Sequence, residues 1–236
     1  KVGSGAFMKT QEDSRALAQE MVRIGAQVGR RTVALITDMD MPLGQCVGNA
    51  LEVQEACQVL SGKGDRRLRE LCLELAANMV YLGGKASTME EARELASQAV
   101  ASGKALDKFR EMVEAQSGDG SYILHPEKFS LSPVIVEVTA PETGYITRLN
   151  AEECGLAAVE LGAGRETKDS PIDYGAGMVL LKNKGDAVTK GEPIARLYAQ
   201  REDLCQRGRE RFLSALQVGQ EAPAMGPLIL ERIEEA

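Results

Sequence analysis

The segment 117–132 (SGDGSYILHPEKFSLS) is polar and punctuated by glycine and proline, and the chain changes character across it. Before it the apolar residues recur at helical spacing, with capping signals at the helix starts. After it they fall into short β-branched runs separated by turns. This contrast predicts an α/β chain of two parts joined by a linker or crossing loop. Residues 1–116 are read as a helix-rich portion of a mixed or parallel sheet with flanking helices. Residues 133–236 are read as a smaller β-rich, barrel-sandwich-like C-terminal lobe.

In the first part, Thr10 with Asp13 has the form of a capping box. Ala16, Leu17, Met21, Ile24 and Val28 make an apolar stripe, and Gly29 is a stop signal. Residues 31–37 (RTVALIT) form a nearly continuous apolar run, as a buried strand does. A helix followed by such a strand implies a parallel sheet with crossover helices. Helices are also expected from Asn49 to Leu60, capped by Asn49 and Glu52, and over Arg66–Leu82. Two more are expected, from a Thr88/Glu91 box to Ser102 and over Ala105–Gln116.

In the second part, strands are expected over Val134–Thr139, Tyr145–Leu149, Met178–Lys182, Ala187–Val188, Pro193–Tyr198 and near Leu228–Ile233. Helices are expected from Asn150 to Leu161 and from about Arg201 to Leu216. The turn Lys184-Gly185-Asp186 resembles the hairpin of biotinyl and lipoyl carrier domains. The modifiable lysine of a Met-Lys or Asp-Lys tip is missing, so the turn is read as a packing hairpin.

Composition narrows the function classes. Apolar residues make up 44% of 236 residues, enough for a real core. The net charge is −7 and the basic stretch Lys63–Arg69 is short, which argues against nucleic acid or an anionic membrane as partner. Five widely spaced cysteines (Cys46, Cys57, Cys72, Cys154 and Cys205) match neither a zinc pattern nor a disulfide framework, and suggest a reducing, cytoplasmic compartment. No apolar run of membrane-spanning length occurs. The chain opens at Lys1-Val2-Gly3-Ser4-Gly5, where Val2 reads as the tail of a strand entering a glycine turn. A strand tail of this kind suggests a segment of a longer protein.

Three stretches carry a resemblance. The first is Lys1–Met8 (KVGSGAFM). The second is Asp38–Gly44 (DMDMPLG), continued by Cys46–Glu55 (CVGNALEVQE). The third is Leu161–Arg165 (LGAGR) with Ile172–Gly177 (IDYGAG) and Lys184-Gly185-Asp186. In order and spacing they resemble the pyrimidine-nucleoside phosphorylase and thymidine phosphorylase family, a group of pentosyltransferases. The second stretch is the most specific.

The resemblance implies that Phe7 walls a pyrimidine pocket, with Lys1 and Ser4 on the turn nearest it. It also implies a potassium ion held by the main-chain carbonyls of Leu43 and Cys46 and the carboxylate of Glu55. The Cys46 thiol would then be incidental, and no organic cofactor is implied. Substrates would be a pyrimidine nucleoside and inorganic phosphate, in a homodimer formed through a helical domain. The family's phosphate loop, a Lys-His-Ser-Thr-Gly-Gly run, does not occur here, and neither do its base-holding Arg, Ser and Lys. No catalytic residue is therefore assigned, and this segment alone is expected to be inactive.

Without the resemblance, Phe7 and Met8 read as core residues after a turn. Glu55 reads as a solvated helix position and Cys46 as a small buried hydrophobe. His125, the single histidine, reads as a surface residue. Three other readings stand beside the phosphorylase. Anthranilate phosphoribosyltransferase would lack the β-rich tail, and AMP phosphorylase would carry an additional N-terminal domain. The third is a non-catalytic binding or assembly module.

Overall fold

The computed structural model describes residues 1–235. They form two compact units. The first comprises 1–38, 57–124 and the residues from Pro227 on, and the second comprises 39–56 and 125–226. The chain thus passes between units four times, whereas the sequence suggested one passage at 117–132. The crossing after Leu124 falls inside that segment, which itself forms a short helix, Ser121–Leu124, and a 3-10 turn, Pro126–Lys128. The other crossings follow from pairings between residues far apart in sequence, which local composition does not announce.

The first unit contains helix α1 (Gln11–Gln27), strand β1 (Val33–Thr37), helices α3 to α6 (Arg66–Leu82, Met89–Ala101, Lys104–Ala115, Ser121–Leu124) and the last strand, Ile229–Glu234. Its helix starts are well specified. The Thr10 side chain accepts from the Asp13 N–H at 3.2 Å and that of Thr88 from the Glu91 N–H at 3.1 Å. Asp65 accepts from the Leu68 N–H at 2.8 Å. Each satisfies an amide that a helix start otherwise leaves unpaired.

The sheet of this unit is mixed. The last strand lies antiparallel to β1, with Val33 opposite Glu234. Val2 forms isolated parallel bridges to Asp38 and Met8. The neighbour of β1 therefore arrives from the far end of the sequence rather than by a crossover helix. Val2, Ala18 and Ile36 are buried around this sheet. The helix face that packs is Ser14, Ala18 and Val22, whereas Leu17, Met21, Ile24 and Val28 of the expected apolar stripe are exposed.

The second unit holds strands β2 (Cys46–Val47), β3 (Val134–Thr139), β4 (Gly144–Leu149), β5 (Gly177–Leu180), β6 (Ala187–Val188), β7 (Pro193–Ala199) and β8 (Leu216–Gly219). The last strand of the chain is β9. One sheet runs β2-β5-β7-β3 and the other β6-β4-β8, all antiparallel, and neither closes into a barrel. Helices α7 (Ala151–Leu161) and α8 (Glu202–Ala215) share one core with both sheets, including Val138, Ile146, Leu149, Met178, Leu197 and Phe212. The Lys184-Gly185-Asp186 turn docks on β4, with Gly185 donating to the Ile146 carbonyl at 2.8 Å and Ile146 to that of Asp186 at 3.0 Å. This is the packing role expected of it.

Candidate functional site

The second and third sequence stretches come together in the second unit. Residues 40–48 run as an irregular segment into β2 and then into helix α2 (Asn49–Leu60). The Asn49 amide donates to the Ala163 carbonyl at 2.8 Å, and the Ala50 N–H donates to the Tyr174 carbonyl at 3.0 Å. A Cβ on Gly48 would lie 2.5 Å from the Ala176 carbonyl, and one on Gly177 would lie 2.3 Å from that of Val47. Both glycines hold φ above +140°. Only glycine allows this backbone contact, which explains why two glycine-bearing motifs distant in sequence meet here.

The start of α2 differs from the expected cap. Asn49 is taken up by Ala163, and Glu52 instead accepts from the Gly48 N–H at 3.2 Å. One turn further along α2, Glu55 is only 5% exposed and its carboxylate faces the loop. It accepts from the Gln45 N–H at 2.6 Å and the Cys46 N–H at 3.3 Å. A Cβ on Gly44 would sit 2.4 Å from the same carboxylate. Glu55 is thus not a solvated helix position. It organises residues 44–46, which sequence reasoning could not see because no side-chain motif marks an amide acceptor.

Strand β2 is an edge of its sheet, and Cys46 stands opposite Val179. Leu180 donates to the Gln45 carbonyl at 2.7 Å, so Cys46 occupies a non-hydrogen-bonded pair. Its N–H and C=O both turn away from β5, and its N–H is the group that meets Glu55. A buried carboxylate and an edge carbonyl are oxygen donors of the kind hard cations take. Leu43 is half-buried two residues before Gln45. Among the described residues no three His, Cys, Asp or Glu side chains stand together as metal ligands, so a cation at this loop would rely on main-chain oxygens.

The Cys46 thiol is pushed up to about 12, first by burial and then by the Glu55 and Glu52 carboxylates. It stays protonated near neutral pH and offers neither a nucleophile nor a soft ligand.

In the first unit, Val2 donates to the Thr37 carbonyl at 2.9 Å and runs parallel to the end of β1. The Gly3–Phe7 turn therefore lies just beyond the carboxyl end of that strand, where α/β sheets place their ligands. The Gly3 N–H donates to the Met8 carbonyl at 3.1 Å, and Lys9 donates to the Ser4 carbonyl at 2.7 Å, closing the turn. Phe7 is fully exposed (101%) and, with Lys1 and Met8, borders a cavity of 500 Å³ whose other wall is α1 and β1. Phe7 is thus not a core residue. Asp38, at the end of β1, is paired with Arg67 at 2.7 Å. His125 is exposed, 3.3 Å from Glu127, as expected for a surface residue.

Two family models match the chain in succession. One, "Glycosyl transferase family, a/b domain", matches residues 1–106. The other, "Pyrimidine nucleoside phosphorylase C-terminal domain", matches residues 145–218. The pyrimidine-nucleoside phosphorylase of Geobacillus stearothermophilus is 48% identical over 204 residues, which are 86% of this chain and 47% of that protein. The protein of the same name from Staphylococcus aureus USA300 gives the same identity and coverage. The chain spans about half the length of these curated relatives. With both models matched in succession and this level of identity, the chain belongs to the pyrimidine-nucleoside phosphorylase family.

Proposed function

We propose that the protein carrying this chain is a pyrimidine-nucleoside phosphorylase, which converts a pyrimidine nucleoside and inorganic phosphate into the free base and ribose or deoxyribose 1-phosphate. The observation that carries the reading is the 48% identity over 86% of the chain, to relatives bearing that name. The match of a phosphorylase C-terminal domain to residues 145–218 favours it over anthranilate phosphoribosyltransferase, which would lack such a lobe.

In the reaction a phosphate oxygen bonds to the anomeric carbon as the glycosidic C–N bond breaks. The departing base takes the electron pair, and a proton then restores the neutral base. Donors on the base oxygens stabilise the developing charge, and closure over the substrates keeps water from replacing phosphate. Phe7, exposed on a turn beside a cavity, is assigned to the wall of the base pocket. Leu43 and Cys46, through their carbonyls, and Glu55, through its carboxylate, are assigned to a potassium ion. Such an ion would supply fixed positive charge to the bound phosphate. Independently of it, Glu55 holds the Gln45 and Cys46 amides and so fixes the loop.

We place the protein in the cytoplasm as a homodimer. Five free cysteines, and the lack of any helix among the described residues long and apolar enough to cross a membrane, are compatible with that location.

The test is an assay of the protein as it occurs in the cell with uridine, thymidine and AMP, each with and without phosphate. The reading predicts phosphate-dependent release of uracil or thymine. Turnover of AMP alone, or release that does not depend on phosphate, would contradict it.

A further inference from the structure

Helices α2, α3, α4 and α5 enclose a second cavity in the first unit, of 280 Å³. Val59, Leu73, Ala76, Val80, Ala96 and Val100 contribute to its lining, and no carboxylate does. Among the described residues the one charged side chain on its wall is that of Arg69. Among the described residues Arg69 makes no side-chain hydrogen bond or ion pair, and its Nε is buried without a partner. A buried donor without an acceptor is costly, and a guanidinium is shaped to hold a carboxylate through two parallel hydrogen bonds. An apolar cavity of about 150 Å³ already suffices for benzene, so this one has room for a longer apolar group.

We propose that this cavity binds a medium-length aliphatic carboxylate, its chain among the alanine and valine side chains and its head on the Arg69 guanidinium. Apolar lining accounts for the chain and the unpaired cation for the head, so neither half of the ligand is arbitrary. The site lies wholly within the first unit and uses none of the residues assigned to substrate or potassium. Cys72 lines the same cavity and is the exposed member of the five cysteines, which makes it a reporter of occupancy.

The experiment is calorimetric titration of the full chain with octanoate and, separately, with 1-octanol. Saturable one-to-one binding of octanoate is expected, with octanol roughly tenfold weaker or worse, the loss set by one charge-assisted pair. Arg69→Met is expected to weaken octanoate by a similar factor and leave octanol unchanged, while Arg69→Lys restores part of the affinity. Ala76→Leu, which fills the cavity, is expected to weaken both ligands, with folding of each variant checked by circular dichroism. Octanoate is also expected to slow alkylation of Cys72 by N-ethylmaleimide severalfold. Absence of saturable octanoate binding would overturn the proposal. So would equal affinity for acid and alcohol, or an unchanged Cys72 alkylation rate at saturation.

Discussion

The two units bury their apolar residues in different ways. In the second, nineteen buried hydrophobic residues form one cluster reaching from Val138 to Leu216, with Phe212 among the largest. In the first, the cluster around β1 holds only Val2, Ala18 and Ile36, while Leu17, Met21, Ile24, Val28 and Phe7 are exposed. The second unit is therefore stabilised chiefly by its own side chains. The first buries smaller groups of side chains on its helices, Leu71, Ala77, Ala92 and Ala96 among them, and leaves Leu17, Met21, Ile24 and Val28 of α1 exposed. The two proposed sites divide along the same line. The loop held by Glu55 stands on the well-packed unit, where buried groups can be fixed, and the Phe7 turn stands on the other.

The largest expected effect tests this contrast directly. Phe212→Ala should destabilise the second unit by about 3–5 kcal/mol in chemical denaturation. Met21→Ser, on the exposed face of α1, should stay within about 0.5 kcal/mol. Comparable losses from the two would contradict the burial of Phe212 and the exposure of Met21.

Next comes Glu55→Ala. It leaves the Gln45 and Cys46 amides without their acceptor and should cost about 1.5–3 kcal/mol, the range for hydrogen bonds to a charged group. A variant as stable as the parent would mean that the loop does not depend on Glu55. Asn150→Ala removes the cap that accepts from Glu153 at 3.0 Å and should cost about 1 kcal/mol by the same measurement.

The last effect is a pH dependence confined to alkaline conditions. The folded Cys46 thiol holds its proton to about 12, against an ordinary value of 9.0. The folded state therefore binds more protons across that interval, and stability should fall as pH rises from about 9 toward 12. In the parent the measured decline should be steeper than in Cys46→Ala. Parallel curves would argue against a buried thiol.

Much of the architecture was legible because its signals are local. The caps at Thr10, Thr88 and Asn150 stand where Ser/Thr/Asn-type spacing put them, and α3 spans the expected Arg66–Leu82. The strand β2 has two residues and β8 only four, too short to show alternation. The pairing of β1 with β9 joins opposite ends of the chain and has no local trace. The exposure of Leu17 and Met21 was illegible for a related reason: periodicity identifies an apolar stripe but not what covers it. At the candidate site, family resemblance pointed to Glu55, whereas its main-chain partners emerged only from the folded loop. For Phe7, sequence left core and pocket open, and its full exposure removes the core reading.

We propose that Glu55 shapes the Gly44–Cys46 loop at a potassium site in a nucleoside phosphorylase. Its most direct test is the phosphate KM for uracil release from uridine and thymine release from thymidine, in the parent protein and in Glu55→Gln, with potassium and with sodium. Phosphate-dependent turnover that is higher with potassium is expected, with a KM raised about tenfold or more in the variant, as loss of one charge-assisted contact implies. An unchanged KM in the variant, together with indifference to the cation, would contradict it.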